Sequence, residues 1–128
     1  IESGGIKLGI CTDLGFVPSL VREKLRGCHY LIIEANHEVD LVYASQRPDV
    51  YKERVLGRQG HLSNEACSHL LHDIHHDGLE HVYLAHLSEE CNHPDIALKV
   101  VREYLEANGR PLKLAIAHQD RVSPLITP

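Results

Sequence analysis

The chain has 128 residues, which is enough for one domain with a hydrophobic core of its own. Hydrophobic residues make up 43% and charged residues 24%, as in ordinary globular proteins, and no apolar run approaches the roughly 20 residues of a membrane span. The net charge of −5 offers no electrostatic argument for a nucleic-acid ligand, since phosphate-binding surfaces are normally basic.

The histidine and cysteine content indicates the kind of chemistry and the cellular compartment to expect. Eleven histidines are many for this length, and they favour metal or acid–base chemistry. The four cysteines are scattered without a CxxC pair, and no signal segment opens the chain. We therefore predict reduced thiols in a cytoplasmic protein.

Short apolar runs alternate with segments of helical spacing along the chain. The predicted strands are residues 6–11, 28–33, 82–85 and 112–117. Helices are predicted from about residue 18 to 27, in two pieces between 38 and 56, from 63 to 78 and from 94 to 108. Ser63 is the expected N-cap of the fourth helix, and Pro94 the first residue of the last. This alternation predicts α/β layering.

Polar side chains with metal or proton chemistry follow three of these strands. Asp13, Glu34 and His86 stand at the strand ends, and His61 stands at a helix entrance after a glycine. If the strands are parallel, these groups meet at one edge of the sheet. Carboxylates with imidazoles suit zinc or another first-row divalent ion. Each residue also has a structural alternative. Asp13 would cap a turn or helix, Glu34 would be a hydrogen-bonded polar residue without a catalytic role, and His61 would belong to the loop that caps the next helix.

The remaining histidines are interpreted as structural. Four of them, at positions 69, 72, 75 and 76, are predicted to lie on one helix. His72 and His76 have the i, i+4 spacing of a metal pair, but a solvated helix face is the favoured interpretation. His29 and His118 have no partner pattern.

Four short motifs occur in a fixed order: CTDLG around Asp13, LIIEANHE around Glu34, GHLSNEA around His61 and YLAHLSEECNHP around His86. Together they closely resemble the second half of a metallo-β-lactamase-fold hydrolase, in the YycJ-like branch related to RNase Z. The resemblance covers about residues 6 to 118. It implies the second half of an αββα sandwich, with one sheet and flanking helices.

The resemblance also implies a role for each of the four residues. Asp13 corresponds to the aspartate that bridges two divalent metal ions, zinc in preference to manganese, and His86 to the late histidine ligand. Glu34 and His61 correspond to a pair that carries a proton to the leaving group while metal-bound hydroxide attacks phosphorus. Asn36 stands where the family's motif has threonine. His37 and Asn92 also belong to the branch's pattern, without an assigned role.

The family's principal metal motif, His-x-His-x-Asp-His, is absent from these residues. We therefore expect residues 1–128 to be the carboxyl-terminal half of a longer hydrolase, inactive alone, whose partner is the missing amino-terminal half. The face that packs on that half would also allow homo-oligomers to form. No membrane association is expected.

The implied function is a metal-dependent phosphodiesterase or exonuclease acting on nucleic acid. Two alternatives are retained. One keeps the fold but hydrolyses small esters, thioesters or lactones. The other is an α/β module that binds a partner and has no chemistry of its own.

Overall fold

The computed structural model describes residues 1–123, and in them five strands form a single mixed sheet. The strands are β1 (Glu2–Ser3), β2 (Ile6–Cys11), β3 (Tyr30–Glu34), β4 (His81–Ala85) and β5 (Lys113–Ile116). They lie in the sheet in chain order, with β1 antiparallel to β2 and all the other neighbours parallel. The α/β prediction is confirmed.

Five helices connect the parallel strands. They are α1 (Ser19–Leu25), α2 (Val39–Ala44), α3 (Asp49–Leu56), α4 (Asn64–Ile74) and α5 (Pro94–Ala107). The Ser63 hydroxyl caps α4 by accepting a hydrogen bond from the Ala66 amide at 3.1 Å, as predicted. At the start of α5, Pro94 takes the first position and the His93 ring accepts from the Asp95 amide.

Two details of the sequence prediction are wrong. Helix α4 ends at Ile74 and not near Gly78, so His75 and His76 lie beyond the helix. The His76 ring turns back there to bind the Cys28 carbonyl oxygen at 2.8 Å, which rules out a His72–His76 pair on one helix face. Strand β1 was also missed, because its two exposed polar residues carry no apolar pattern.

The hydrophobic core lies between one face of the sheet and the helices α1, α4 and α5. Alternate residues of β3 and β4 point into it, and the helices contribute leucines and valines. These core residues include Leu31, Ile33, Val82, Leu84, Leu25, Leu70, Leu71, Val101 and Leu105. The core fixes the sheet, and so it fixes the positions at which the parallel strands end.

The opposite face of the sheet carries an apolar row that crosses all four parallel strands. Ile10, Ile32, Tyr83 and Ala115 are paired in register across this row. Ile10 is 58% exposed, and the other three are only partly buried. One face of the sheet is therefore covered by helices, while the other stays partly open.

All four cysteines are buried and free. Burial raises the pKa of the Cys11 and Cys67 thiols, which keeps them protonated and unreactive. No helix in the described part of the chain has the length and apolar character needed to cross a membrane.

Candidate metal centre

Asp13, Glu34, His61 and His86 meet at the carboxyl edge of the parallel strands. A ligand atom from each of the four residues lies within 4.8 Å of the other three. Asp13 follows β2, Glu34 ends β3, and His86 follows β4, so the parallel register of the strands brings them side by side. The predicted convergence of these residues is therefore what the structure shows.

His61 reaches the same edge from a loop. The main-chain amide of Asn36 donates a hydrogen bond to the Leu62 carbonyl at 2.8 Å, and the main-chain amide of Asn64 donates to the His37 carbonyl at 2.9 Å. These bonds form an isolated parallel β-bridge between His37 and Ser63, just beyond the end of β3. The His61 loop therefore lies directly beside the end of β3.

A single oxygen of Glu34 joins the two imidazoles. Its Oε1 atom lies 2.7 Å from Nδ1 of His61 and 2.6 Å from Nδ1 of His86. Because a carboxylate oxygen can only accept, each ring donates its Nδ1 hydrogen. A neutral ring with its proton on Nδ1 keeps a lone pair on Nε2, which is the form that binds a metal ion or takes up a proton.

The other oxygen of Glu34 accepts a hydrogen bond from the Asp13 main-chain amide at 2.8 Å. Glu34 is only 1% exposed, so three donors compensate the loss of water around its carboxylate. The Asp13 side chain is 65% exposed, and its Oδ1 lies 3.4 Å from Nδ1 of His86 and 3.6 Å from Nδ1 of His61. Glu34 thus forms the floor of the cluster, and Asp13 stands at its open side.

Asp13 and His86 both adopt left-handed backbone conformations, with φ values of 62° and 60°. Residues with a side chain rarely adopt this conformation, which costs about 1–2 kcal/mol. Such strain persists only where surrounding contacts impose it. At His86 one of these contacts is visible, because the Asn36 side-chain amide donates to the His86 carbonyl at 2.7 Å.

Behind the cluster lies a buried network of amides. Asn64 and Asn92 exchange a reciprocal pair of side-chain hydrogen bonds at 3.0 Å, and Asn92 also donates to the Ala35 carbonyl at 2.9 Å. The His37 ring is 1% exposed and lies 3.1 Å from the Asn36 side-chain oxygen. Burial and, after it, the nearby His61 lower the pKa of His37. Asn92 therefore links the segment after β3 to the start of α4, while the His37 ring contacts only its neighbour Asn36 among the side-chain hydrogen bonds of residues 1–123.

The donor set fits a divalent metal ion. Two carboxylates and two imidazoles within 4.8 Å are the ligand types that zinc and related first-row ions prefer. Among residues 1–123 no second cluster of this kind occurs. Sequence reasoning named all four residues, but it gave Asn36 no role and did not predict that both rings share one Glu34 oxygen.

Comparison with known proteins identifies relatives of the chain. It is 33% identical over 103 residues to the exodeoxyribonuclease YycJ of Bacillus anthracis, covering 80% of this chain and 39% of that protein. It is 28% identical over 120 residues to the exodeoxyribonuclease WalJ of Streptococcus pneumoniae, covering 91% of this chain and 45% of that protein. The chain is a relative of the YycJ and WalJ exodeoxyribonucleases.

The predicted resemblance to the YycJ-like branch is thereby confirmed. The chain spans less than half the length of each of these relatives, as the second half of such a protein would. No protein-family model matches the chain, and no solved structure matches it significantly.

Proposed function

We propose that this chain is the carboxyl-terminal half of a metal-dependent exonuclease that hydrolyses the phosphodiester bonds of DNA in the cytoplasm. The observation that carries the proposal is the convergence of Asp13, Glu34, His61 and His86, in a chain whose relatives are named exodeoxyribonucleases. The four free, buried cysteines are consistent with a reducing compartment.

The proposed half-domain is supported by the sheet. The apolar row through Ile10 and Ile32 is partly open, as expected of a face that receives the second sheet of a sandwich. The relatives are more than twice as long as the segment matched here, which leaves enough chain for that second sheet. The missing half would supply further metal ligands, and it would add basic surface to a chain in which acidic residues outnumber basic ones.

In this proposal Asp13 and His86 hold divalent metal ions, zinc in preference to manganese, and two ions complete the centre. When bound, the ions supply Lewis-acid polarisation of the phosphodiester and an activated water. Of the two carboxylates in the cluster, Glu34 is not assigned as a metal ligand, because both of its oxygens already accept hydrogen bonds. It orients His86 through Nδ1, which leaves Nε2 of that ring as the ligand atom.

His61 is the proposed proton donor to the leaving oxygen. Glu34 holds its Nδ1 at 2.7 Å, so a proton carried on Nε2 can be delivered to the departing oxygen. The buried carboxylate accepts the Nδ1 hydrogen throughout and so keeps the ring in its orientation during this transfer. The geometry thus favours a reaction whose leaving group requires protonation, as the deoxyribose oxygen of DNA does.

The test is the response of the His61→Ala variant of the complete protein to two substrates. A DNA oligonucleotide has a poor leaving group, while bis(4-nitrophenyl) phosphate releases a nitrophenolate that needs no proton. We expect kcat for the oligonucleotide to fall about 100-fold or more, and kcat for the nitrophenyl ester to fall much less.

His69→Ala is the matched control, because His69 lies on α4 with half of its side chain exposed. It should leave both rates unchanged. If the His61 variant lost kcat equally on both substrates, His61 would not be the proton donor. If the complete protein hydrolysed small esters in preference to DNA, the substrate would be a small ester and not DNA.

A further inference from the structure

A cavity of about 430 Å³ opens directly beside the two clustered histidines. His61 and His86 form part of its wall, and Tyr51, Arg54 and Gln59 from α3 and the loop after it form another part. This volume is in the range of small-ligand sites and is large enough for a nucleotide. A ligand that fills the cavity therefore contacts the histidines and α3 at the same time.

The α3 side of this cavity is the basic part of an acidic chain. Between residues 47 and 59 there are four basic residues and two acidic ones, although acidic residues outnumber basic ones by 18 to 13 in the chain as a whole. The basic residues are Arg47, Lys52, Arg54 and Arg58. We call residues 47–59 the α3 arm. Its charge has the sign required to bind phosphate.

Within the α3 arm, Arg54 is the cation that faces the cavity. Arg47 is engaged by a two-point ion pair with Glu90, which neutralises that carboxylate at the rim. Both arginines contact the Tyr51 ring, whose centre lies 5.2 Å from the guanidinium carbon of Arg47 and 5.8 Å from that of Arg54, and these cation–π contacts help to place Arg54 at the wall. In the described part of the chain Arg54 makes no ion pair, so its donors are open to an anion.

The cavity is also lined by acidic residues, and the ion pair with Arg47 links one of them to the α3 arm. Glu89 and Glu90 line it from the loop after β4, and only Glu90 has an arginine partner among the described residues. An anionic ligand is therefore attracted toward α3 and repelled from the loop that carries Glu89. This polarity would orient a nucleic-acid strand across the cavity.

We propose that Arg54 binds a backbone phosphate of single-stranded DNA, one that flanks the phosphodiester bond held at the histidine cluster. The guanidinium donates paired hydrogen bonds to the phosphate oxygens, and Tyr51 keeps it in place. This inference rests on the proposed function for its substrate class. It goes further by assigning the binding site for the strand beyond the reacting bond.

The experiment compares binding and hydrolysis in the complete protein. Binding of a fluorescent single-stranded oligonucleotide is measured by anisotropy as a function of salt, in a His61→Ala background that suppresses cleavage. Adding Arg54→Ala should weaken binding about tenfold at low salt. It should also reduce the slope of log K against log salt by about 0.7, as expected for one lost phosphate contact on a single strand.

In the protein with His61 intact, Arg54→Ala should raise KM for the oligonucleotide about tenfold and leave kcat nearly unchanged. Bis(4-nitrophenyl) phosphate has a single phosphate, which the histidine cluster would hold, and it offers no second phosphate to Arg54, so its hydrolysis should be unaffected. Arg54→Lys should restore part of the binding, because it keeps the charge and loses the paired geometry. Arg102→Ala, an exposed cation on α5, is the control and should change nothing.

Unchanged DNA binding and an unchanged salt slope in Arg54→Ala would overturn the inference, as would an equal loss of activity on both substrates. The proposed function fails separately. If the protein binds DNA through Arg54 without cleaving it, the binding site stands and the nuclease assignment falls. If DNA is cleaved and Arg54→Ala matches the wild type, the nuclease assignment stands and the binding site falls.

Discussion

Asn36 connects the sheet to the strained loop that presents His86. Its side-chain amide donates to the His86 carbonyl at 2.7 Å, and its own carbonyl accepts from the Ser88 amide at 2.7 Å. Both contacts fall on the turn in which His86 has a φ of 60°. Asn36 therefore positions His86, and it would act on the proposed metal centre through that residue.

We expect Asn36→Ala in the complete protein to weaken zinc affinity about 10- to 100-fold, as the loss of an outer partner of a metal ligand commonly does. The unfolding free energy should fall by about 1–3 kcal/mol, because the partly buried hydrogen bond from Asn36 to the His86 carbonyl is lost. Zinc titration and denaturant unfolding measure the two effects.

Asn108→Ala is the matched control. Its side-chain amide also donates to a main-chain carbonyl, that of Tyr104, but at the exposed end of α5. Zinc affinity should be unaltered in this variant. A wild-type zinc affinity in Asn36→Ala would show that the His86 turn holds its shape without the side chain.

At the scale of single residues, the sequence was sufficient to find the ends of strands but not the contacts between them. Asp13, Glu34 and His86 were visible because each interrupts an apolar run with a group able to bind metal. The contact made by Asn36 was not, because its partner is a main-chain carbonyl 50 residues away and no local pattern records that contact. The shared Glu34 oxygen depends likewise on a side-chain geometry that sequence spacing does not determine.

Two connecting loops pack closely at the open side of the centre. Gly15, just beyond Asp13, donates its amide to the Arg58 carbonyl at 3.1 Å in the loop that follows α3. A Cβ atom at position 15 would overlap the Gly57 carbonyl oxygen and the Arg58 main chain. The absence of a side chain at position 15 thus lets the Asp13 loop approach the loop that leads to His61.

Gly15→Ala should therefore separate the two loops. We expect it to destabilise the complete protein by about 1–3 kcal/mol, as overpacking commonly does, and to reduce zinc affinity because Asp13 moves away from His61. Thermal unfolding and zinc titration test both effects.

Gly78→Ala is the comparison variant. A Cβ at position 78 would meet the imidazole of His76 at 2.8 Å, which is a side chain that can move, and the site is remote from the metal cluster. It should cost less stability and leave zinc affinity intact. If Gly15→Ala bound zinc as the wild type does, the spacing of the two loops would not matter to the centre.

At the scale of the whole molecule, hydrophobic periodicity predicted the alternation of strands and helices. It did so because residues buried in the sheet or on one face of a helix are apolar at a regular spacing in the sequence. It misplaced the end of α4, where His75 and His76 continue a polar pattern while the chain has already turned toward Cys28. Which face of the sheet the helices cover was also not predictable, because the strands are apolar on both faces. The structure shows an apolar row through Ile10 and Ile32 on the less covered face.

That row gives a test of the proposed half-domain. If a second sheet packs on it in the complete protein, Ile10→Asp buries a charge and removes a packed side chain. The unfolding free energy should then fall by about 2 kcal/mol or more.

Leu20→Asp is the control, since Leu20 is 69% exposed on α1, on the helix-covered side of the sheet. Its effect should stay within about 0.5 kcal/mol. Denaturant unfolding compares the two, and equal small effects would mean that Ile10 remains in water and that the second sheet lies elsewhere.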